Sequence, residues 1–219
     1  MGINYSFPNL DTDSFDKFSI KDDQDNRICI INEKNHSIDI HKEKIDIKFN
    51  GKRNKVYIIN PKQLKNLSIH FHASDSVIFI DKNFFSREMT KIIVYKDNQK
   101  LYIGKNVHFF SVFIQMESPG RKIYIGDNCL FGSDVNIKNS DSHIMYDCTT
   151  NEIINDAQEL IWIGQHVWIA RSVRILKNAS LPNDCIVGMG SYVTKNFYKP
   201  NCAITGIPAK IIRENVNWR

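Results

Sequence analysis

The residue whose setting most invites chemistry is His143. It ends the triplet Asp141-Ser142-His143 and opens a polar segment, residues 143–159, that interrupts an otherwise periodic chain. An imidazole with its ordinary pKa of about 6.5 is a good base near neutral pH, and loops held by a rigid scaffold are common sites of chemistry. A lone loop histidine by default only pairs with its neighbours, so the elements around it must decide. The cysteines offer less. Cys29, Cys129, Cys148, Cys185 and Cys202 are odd in number, widely spaced and form no CxxC. Neither a disulfide framework nor a zinc ribbon is indicated, and a reduced, cytoplasmic chain is expected.

What must position His143 is a repeat. From Ile163 the chain can be cut every six residues, and the first positions, Ile163, Ile169, Ile175, Leu181, Val187 and Val193, are all branched aliphatics. The fifth positions, Val167, Val173, Ala179, Cys185, Ser191 and Phe197, are mostly small or apolar. An earlier run led by Ile125, Phe131 and Ile137 keeps the same phase, and a single unit begins at Ile103. A period of six is neither helical nor simple strand alternation. A three-sided coil explains it: each unit makes one flat side with its first residue inward, and turns stack at the strand spacing of about 4.8 Å. The expected fold is all-β, a parallel β-helix. The segment after His143 must then loop outward at a corner, because inside a face it would break the ladder.

Composition agrees. The 219 residues are 42% hydrophobic and 24% charged, which excludes a disordered chain, and no apolar run approaches a membrane span. There are 33 Ile and 23 Asn, residues suited to many short strands and many tight corners. The net charge of +5 suits anionic small molecules or acidic polymers, and no nucleic-acid motif is present. The N-terminus has no basic segment followed by an apolar one, so no signal peptide is read. A Met-Gly opening with Ser6 formally meets a myristoylation pattern and is set aside as chance.

Residues 1–100 lack the clean sixfold phase. Short alternating runs, RICIIN and SIDIHKEKIDIKF, read as exposed strands or hairpins, and the clusters between 56 and 103 read as strands of uneven separation. They form an irregular β-rich cap or early coils. Residues 101–200 carry the regular β-helix. Residues 201–219 form a tail with a short helix beginning after Pro208.

The segments NSDSHIMYD, IWIGQHVWIARSVRILKNASLPNDCIVGMGSYVTKNF and PNCAITGIPAKIIREN together resemble the hexapeptide-repeat acyltransferases. Within those, they look most like bacterial O-acetyltransferases of sialic-acid-containing capsules. The resemblance implies a left-handed coil, against the usual right-handed crossover. It also implies acetyl-CoA as co-substrate, a glycan acceptor in capsule or lipopolysaccharide, no metal, and a homotrimer with the active site between subunits. In that picture His143 is the base for direct attack by the acceptor oxygen, with no covalent enzyme intermediate. Asp141 is a candidate to orient the imidazole or meet the acceptor. Trp168, in HVW, is associated with the reacting centre. Arg171, Met189, the pair Thr194 and Lys195, and the pair Lys210 and Arg213 match positions that meet coenzyme A. Met189 stands where a smaller residue is common, and Lys177 is a weaker candidate. Each Lys or Arg taken alone would read as a solvated surface charge.

Other classes use the same coil. An N-acetyltransferase acting on an amino-sugar nucleotide is the nearest. A gamma-type carbonic anhydrase needs three histidines around zinc, but His70 and His72 alternate on one strand while His108, His143 and His166 are scattered. A non-catalytic solenoid would have no use for basic groups suited to phosphates.

Overall fold

The computed structural model describes residues 6–10, 12–34 and 45–219; the Met-Gly opening and residues 37–44 of the alternating run lie outside them. Among the described residues the helical content is one four-residue turn, Asp13–Asp16. Everything else that is regular is strand, arranged as three sheets of eight, eight and seven strands that form the sides of a prism. The chain visits the sheets in rotation, as in Lys100–Ile103, His108–Phe109 and Val112–Met116, and then begins the next turn at Lys122–Ile125. Neighbouring strands are parallel except at the two ends, where Ile20–Lys21 and Ala209–Glu214 pair antiparallel. The molecule is a left-handed parallel β-helix.

The sixfold repeat behaves as its chemistry requires. Ile163, Ile169, Ile175, Leu181, Val187 and Val193 are all fully buried on the prism axis, as are Ile103, Ile125, Phe131 and Ile137. Branched aliphatics suit this place because they pack on a pleated surface with little rotamer entropy to lose. Asparagine serves the corners. Eighteen described non-glycine residues have positive φ and ten of them are Asn, so the Asn excess is structural. At the corner between the first and second sheets Asn83, Asn106 and Asn128 form a ladder. Asn83 Nδ2 donates to Asn106 Oδ1 and Asn106 Nδ2 to Asn128 Oδ1, each at 2.9 Å.

The solenoid begins well before residue 101. Ile58, Ile80, Ile103 and Ile125 pair in successive rungs, so these turns take 22 or 23 residues. Ile163 pairs with Leu181, a turn of 18. The early apolar clusters are therefore coils of the same prism, spaced unevenly because one corner is longer. Of the alternating run, the described part forms the strand Asp46–Phe49.

The tail corrects the expected C-terminal helix. Ala209–Glu214 is a strand that folds back on Cys202–Gly206 through a turn at Gly206, φ +109°. Two causes outweigh the helix signal of Pro208. Ile211 and Ile212 are β-branched, and the last rung would otherwise present an open sheet edge. On the outer face of the first sheet, aromatic rings are stacked rung on rung. Tyr57, Phe79, Tyr102, Tyr124 and Trp162 follow one another with centroids 6.1, 5.9, 5.2 and 3.9 Å apart. Phe15 packs edge-on against Phe79 and tilted against Tyr57, and Asp16 accepts from Arg27, Lys55 and Tyr57, fastening the N-terminal segment there.

Candidate active site

Between the strands Val135–Lys138 and Leu160–Ile163 the chain leaves the prism at the corner joining the third sheet to the first. The excursion is a small hairpin. Ile154 N donates to Met145 O at 2.9 Å, Tyr146 bridges Ile153, and Asp147 caps the tip by accepting from the Thr149 and Thr150 amides. Those amides, Thr150 first, hold the Asp147 carboxyl below the ordinary carboxylate range. The apolar side chains of the hairpin, Ile144, Met145, Tyr146, Ile153 and Ile154, are all exposed.

His143 stands where the hairpin departs, exposed at the mouth of a cleft of about 350 Å³. The cleft is walled by Glu117 and Pro119 from the turn above, by Ser140 and Asp141, and by Asn155 and Lys177. Ser142 adopts φ +68° and turns the chain sharply before His143. Its Oγ donates to Glu117 Oε2 at 2.5 Å and accepts from Lys138 Nζ at 2.8 Å. Asn155 Nδ2 donates both to His143 O and to Asp141 Oδ2, at 2.9 Å each, tying the two arms of the loop together. Among the described residues the His143 ring has no hydrogen-bond partner. Asp141 does not orient it. Its carboxylate lies 2.5 Å from Lys177 Nζ. Burial pushes that carboxyl up, but the Lys177 and Asn155 hydrogen bonds, with the Lys177 and Lys138 charges, together outweigh it, and the group titrates below the ordinary range. Lys177, a minor candidate in the sequence, thus locks the loop. Glu117 and Asn155 gave no signal there, because each lies a turn or a loop away from His143 along the chain.

The remaining candidates fall in three places. Trp168 is on the outer face of the second sheet, 38% exposed, and belongs to a different side of the prism from the His143 cleft. Trp218 lies beside it, with ring centroids 6.2 Å apart, and stacks on His166 at 4.4 Å. Arg171 and Met189 sit at the corner between the second and third sheets, one turn apart, with Gly190 N donating to Arg171 O at 3.0 Å. Met189 is 69% exposed, so its side chain crowds nothing within the chain. Lys195 and Lys210 meet in one cleft of about 400 Å³ with Lys199, while Thr194 is exposed beside it. Lys199 is paired with Glu214. Among the described residues Lys195 and Lys210 have no acidic partner. Arg213 is exposed on the same terminal strand but outside that cleft.

Comparison with known proteins decides the family. The chain is 33% identical over 168 residues to a polysialic acid O-acetyltransferase of Neisseria meningitidis, covering 77% of this chain and 76% of that protein. The chain belongs to this family of hexapeptide-repeat acetyltransferases. A polysialic acid O-acetyltransferase of Escherichia coli O1:K1 is 31% identical over 126 residues, or 58% of this chain; the chain spans 40% of that relative's length. The crystal structure of the polysialic-acid-specific acetyltransferase NeuO superposes with a TM-score of 0.73 at 30% identity, covering 80% of this chain and 79% of that one. No family model matches the chain.

Three further described histidines have local partners. His70 lies 2.7 Å from Asp46, His72 stacks on Tyr95, and His166 lies 2.8 Å from Asp184. Among the described residues no three His, Cys, Asp or Glu side chains form a group that could hold a metal, and no helix is long and apolar enough to cross a membrane. Burial pushes the Cys29 and Cys185 thiols up to about 11 and the Cys129 thiol to about 12, so these three are protonated and poor nucleophiles at neutral pH. Of the side chains lining the His143 cleft, Glu117 accepts from Ser142, Asp141 and Lys177 pair with each other, and the His143 ring has no hydrogen-bond partner among the described residues.

Proposed function

We propose that the protein is a cytoplasmic acetyl-CoA-dependent O-acetyltransferase that modifies a hydroxyl of a sialic-acid-containing glycan of the bacterial surface. The observation that carries this is an exposed imidazole, free of partners among the described residues, at the mouth of a cleft in a chain of this family. His143 takes the proton of the acceptor hydroxyl as the oxygen attacks, and returns it to the departing sulfur. Coenzyme A, when bound, supplies the acetyl thioester that the acceptor oxygen attacks. The residues present fit such a group: Lys195 and Lys210 converge on one cleft and have no acidic partner among the described residues, which leaves both charges for phosphates. Lys177 and Asn155 keep the loop in place, so His143 needs no reorganisation at the moment of reaction.

His143 and Trp168 lie on different sides of one prism, so a site using both is completed by a neighbouring copy. The exposed apolar hairpin, from Ile144 to Ile154, supports this, because a surface of that kind seeks cover. A homotrimer satisfies both features, with one copy offering His143 and the next Trp168, Arg171 and Met189.

The test is incubation with acetyl-CoA and a panel of sialylated acceptors, following free thiol. Wild type should release thiol, and His143→Ala should lose about 10²–10⁴-fold in turnover while still binding coenzyme A. Undiminished turnover in His143→Ala removes the base assignment. No release with any acceptor, joined to no coenzyme A binding, removes the function.

A further inference from the structure

A second cavity, sharing no residue with the His143 cleft, opens on the outer face of the first sheet. It measures about 510 Å³ and is lined by Phe7, Lys122, Gln158, Glu159, Trp162 and Asn196, with Ser180 at its floor. Ser180 is paired in register with Trp162 one rung away, so it occupies the place where the column of rings from Tyr57 to Trp162 would carry its next member. Its hydroxyl is buried, the residue being 3% exposed, and among the described residues that oxygen has no hydrogen-bond partner. A buried hydroxyl of this kind is costly unless something pairs with it.

The lining says what would. Gln158 and Asn196 are joined by one hydrogen bond of 3.2 Å, which leaves each amide with further donor or acceptor capacity. Glu159 and Lys122 form an ion pair. The Lys122 charge is thus compensated, and the cavity offers no unpaired cation to a phosphate. Amides, a hydroxyl and a carboxylate beside an indole match the hydroxyls and C–H face of a pyranose. The position agrees with this. Asn155, Asp156 and Ala157 line the His143 cleft, and the next residues, Gln158 and Glu159, line this cavity, so the two lie on either side of one returning strand of chain.

We propose that this cavity is an accessory glycan subsite, holding one sugar unit of a chain whose other unit lies in the His143 cleft. The second half of that statement rests on the proposed function; binding of a sugar at Ser180 and Trp162 does not.

The experiment is calorimetric titration of the full chain, without acetyl donor, using a short sialic acid oligomer and a short maltooligosaccharide as probes. One of them should bind. Gln158→Ala and Trp162→Ala should each weaken it about tenfold, equivalent to about 1.4 kcal/mol. Ser180→Ala carries the sharper reading: it should weaken binding severalfold while leaving the melting temperature of the unliganded protein unchanged or higher. It also keeps the test open should Trp162→Ala fail to fold. If neither oligosaccharide binds, or if Ser180→Ala and Gln158→Ala bind like wild type, the proposal is overturned. Binding that depends on these residues in a protein showing no acetyl transfer would preserve the subsite and remove the function. Transfer by wild type with no such dependence would do the reverse.

Discussion

The turns before the loop and the turns after it solve one packing problem in two ways. Before it, a turn takes 22 or 23 residues and the axis holds fully buried Phe71, Phe84, Phe109 and Phe131. After it, a turn takes 18 and the axis holds Ile169, Ile175, Ala179, Leu181, Cys185 and Val187. A wider triangle encloses more volume per rung, and interiors pack as densely as organic crystals, so rings are needed where aliphatics would leave voids. The extra residues lie at the corner between the third and first sheets, as in Glu117-Ser118-Pro119-Gly120. That is the corner the His143 loop leaves from, and Glu117 reaches down to Ser142. The wide turns thus supply the wall of the cleft. The narrow turns supply the face that carries Trp168 and the corner that carries Arg171 and Met189.

The largest effect should come from emptying a wide rung. Phe109 packs edge-on between Phe84 and Phe131, with centroids 5.1 and 4.7 Å away. Phe109→Ala should cost about 3–5 kcal/mol in urea unfolding, from lost burial plus the cavity left behind. The reciprocal change tests the other half of the contrast. Ile169 pairs directly with Phe131 across the boundary between the two kinds of turn. Ile169→Phe should overpack the narrow rung and cost about 1–3 kcal/mol. A neutral Ile169→Phe would mean the narrow turns have spare room, and the cross-section argument would fall.

The same contrast explains what could be read from the sequence. The narrow turns announce themselves because six residues per side leave Ile163, Ile169 and Ile175 in strict phase. The wide turns hide, because four or five added residues at one corner shift the phase each time, although Ile58, Ile80, Ile103 and Ile125 occupy equivalent rungs. The terminal strand reads as a helix because Pro208 signals a helix start locally, whereas the unpaired edge at Cys202–Gly206 is a property of the finished stack. Of the candidate site, the place of His143 at the departure of the loop is legible from the broken phase. Its supports are not: Glu117 and Asn155 are brought there only by the stacking of turns and the return of the loop.

An intermediate effect is expected at the glycine column formed by Gly104, Gly126 and Gly164, where a side chain would meet the next turn. A Cβ on Gly126 would lie 2.7 Å from the Gly164 backbone in the next turn, and backbone cannot move aside as a side chain can. Gly126→Ala should therefore cost about 1–3 kcal/mol. Gly120, at the enlarged corner of a wide turn, has φ +68° and nothing within 4 Å of the added atom. Gly120→Ala should cost only the left-handed strain, about 1–2 kcal/mol. Thermal melts of the two variants would separate crowding between turns from strain within one. A Gly126→Ala protein as stable as wild type would show that the boundary between wide and narrow turns is looser than its geometry.

The smallest effect lies in the loop at that boundary, and it depends on pH. The folded Asp141 carboxyl titrates below its ordinary 3.8, because the Lys177 and Asn155 hydrogen bonds, with the Lys177 and Lys138 charges, together outweigh its burial. Its contribution to holding the loop is then whole above about pH 4 and is lost as pH falls through the lowered folded value. Hydrogen exchange at the Ile154 amide, which donates to Met145 O, reports loop opening directly. Corrected for intrinsic exchange, its protection should be level from pH 7 to about pH 4 and fall below that. In Lys177→Met the lowering partner is gone while burial remains, so Asp141 should protonate at higher pH and the loop should open earlier. The core amides of both kinds of turn should keep their protection across the same range. Loss of protection in Ile154 and in the core together would mean that the loop is no separate unit, and that the wide and narrow turns open as one.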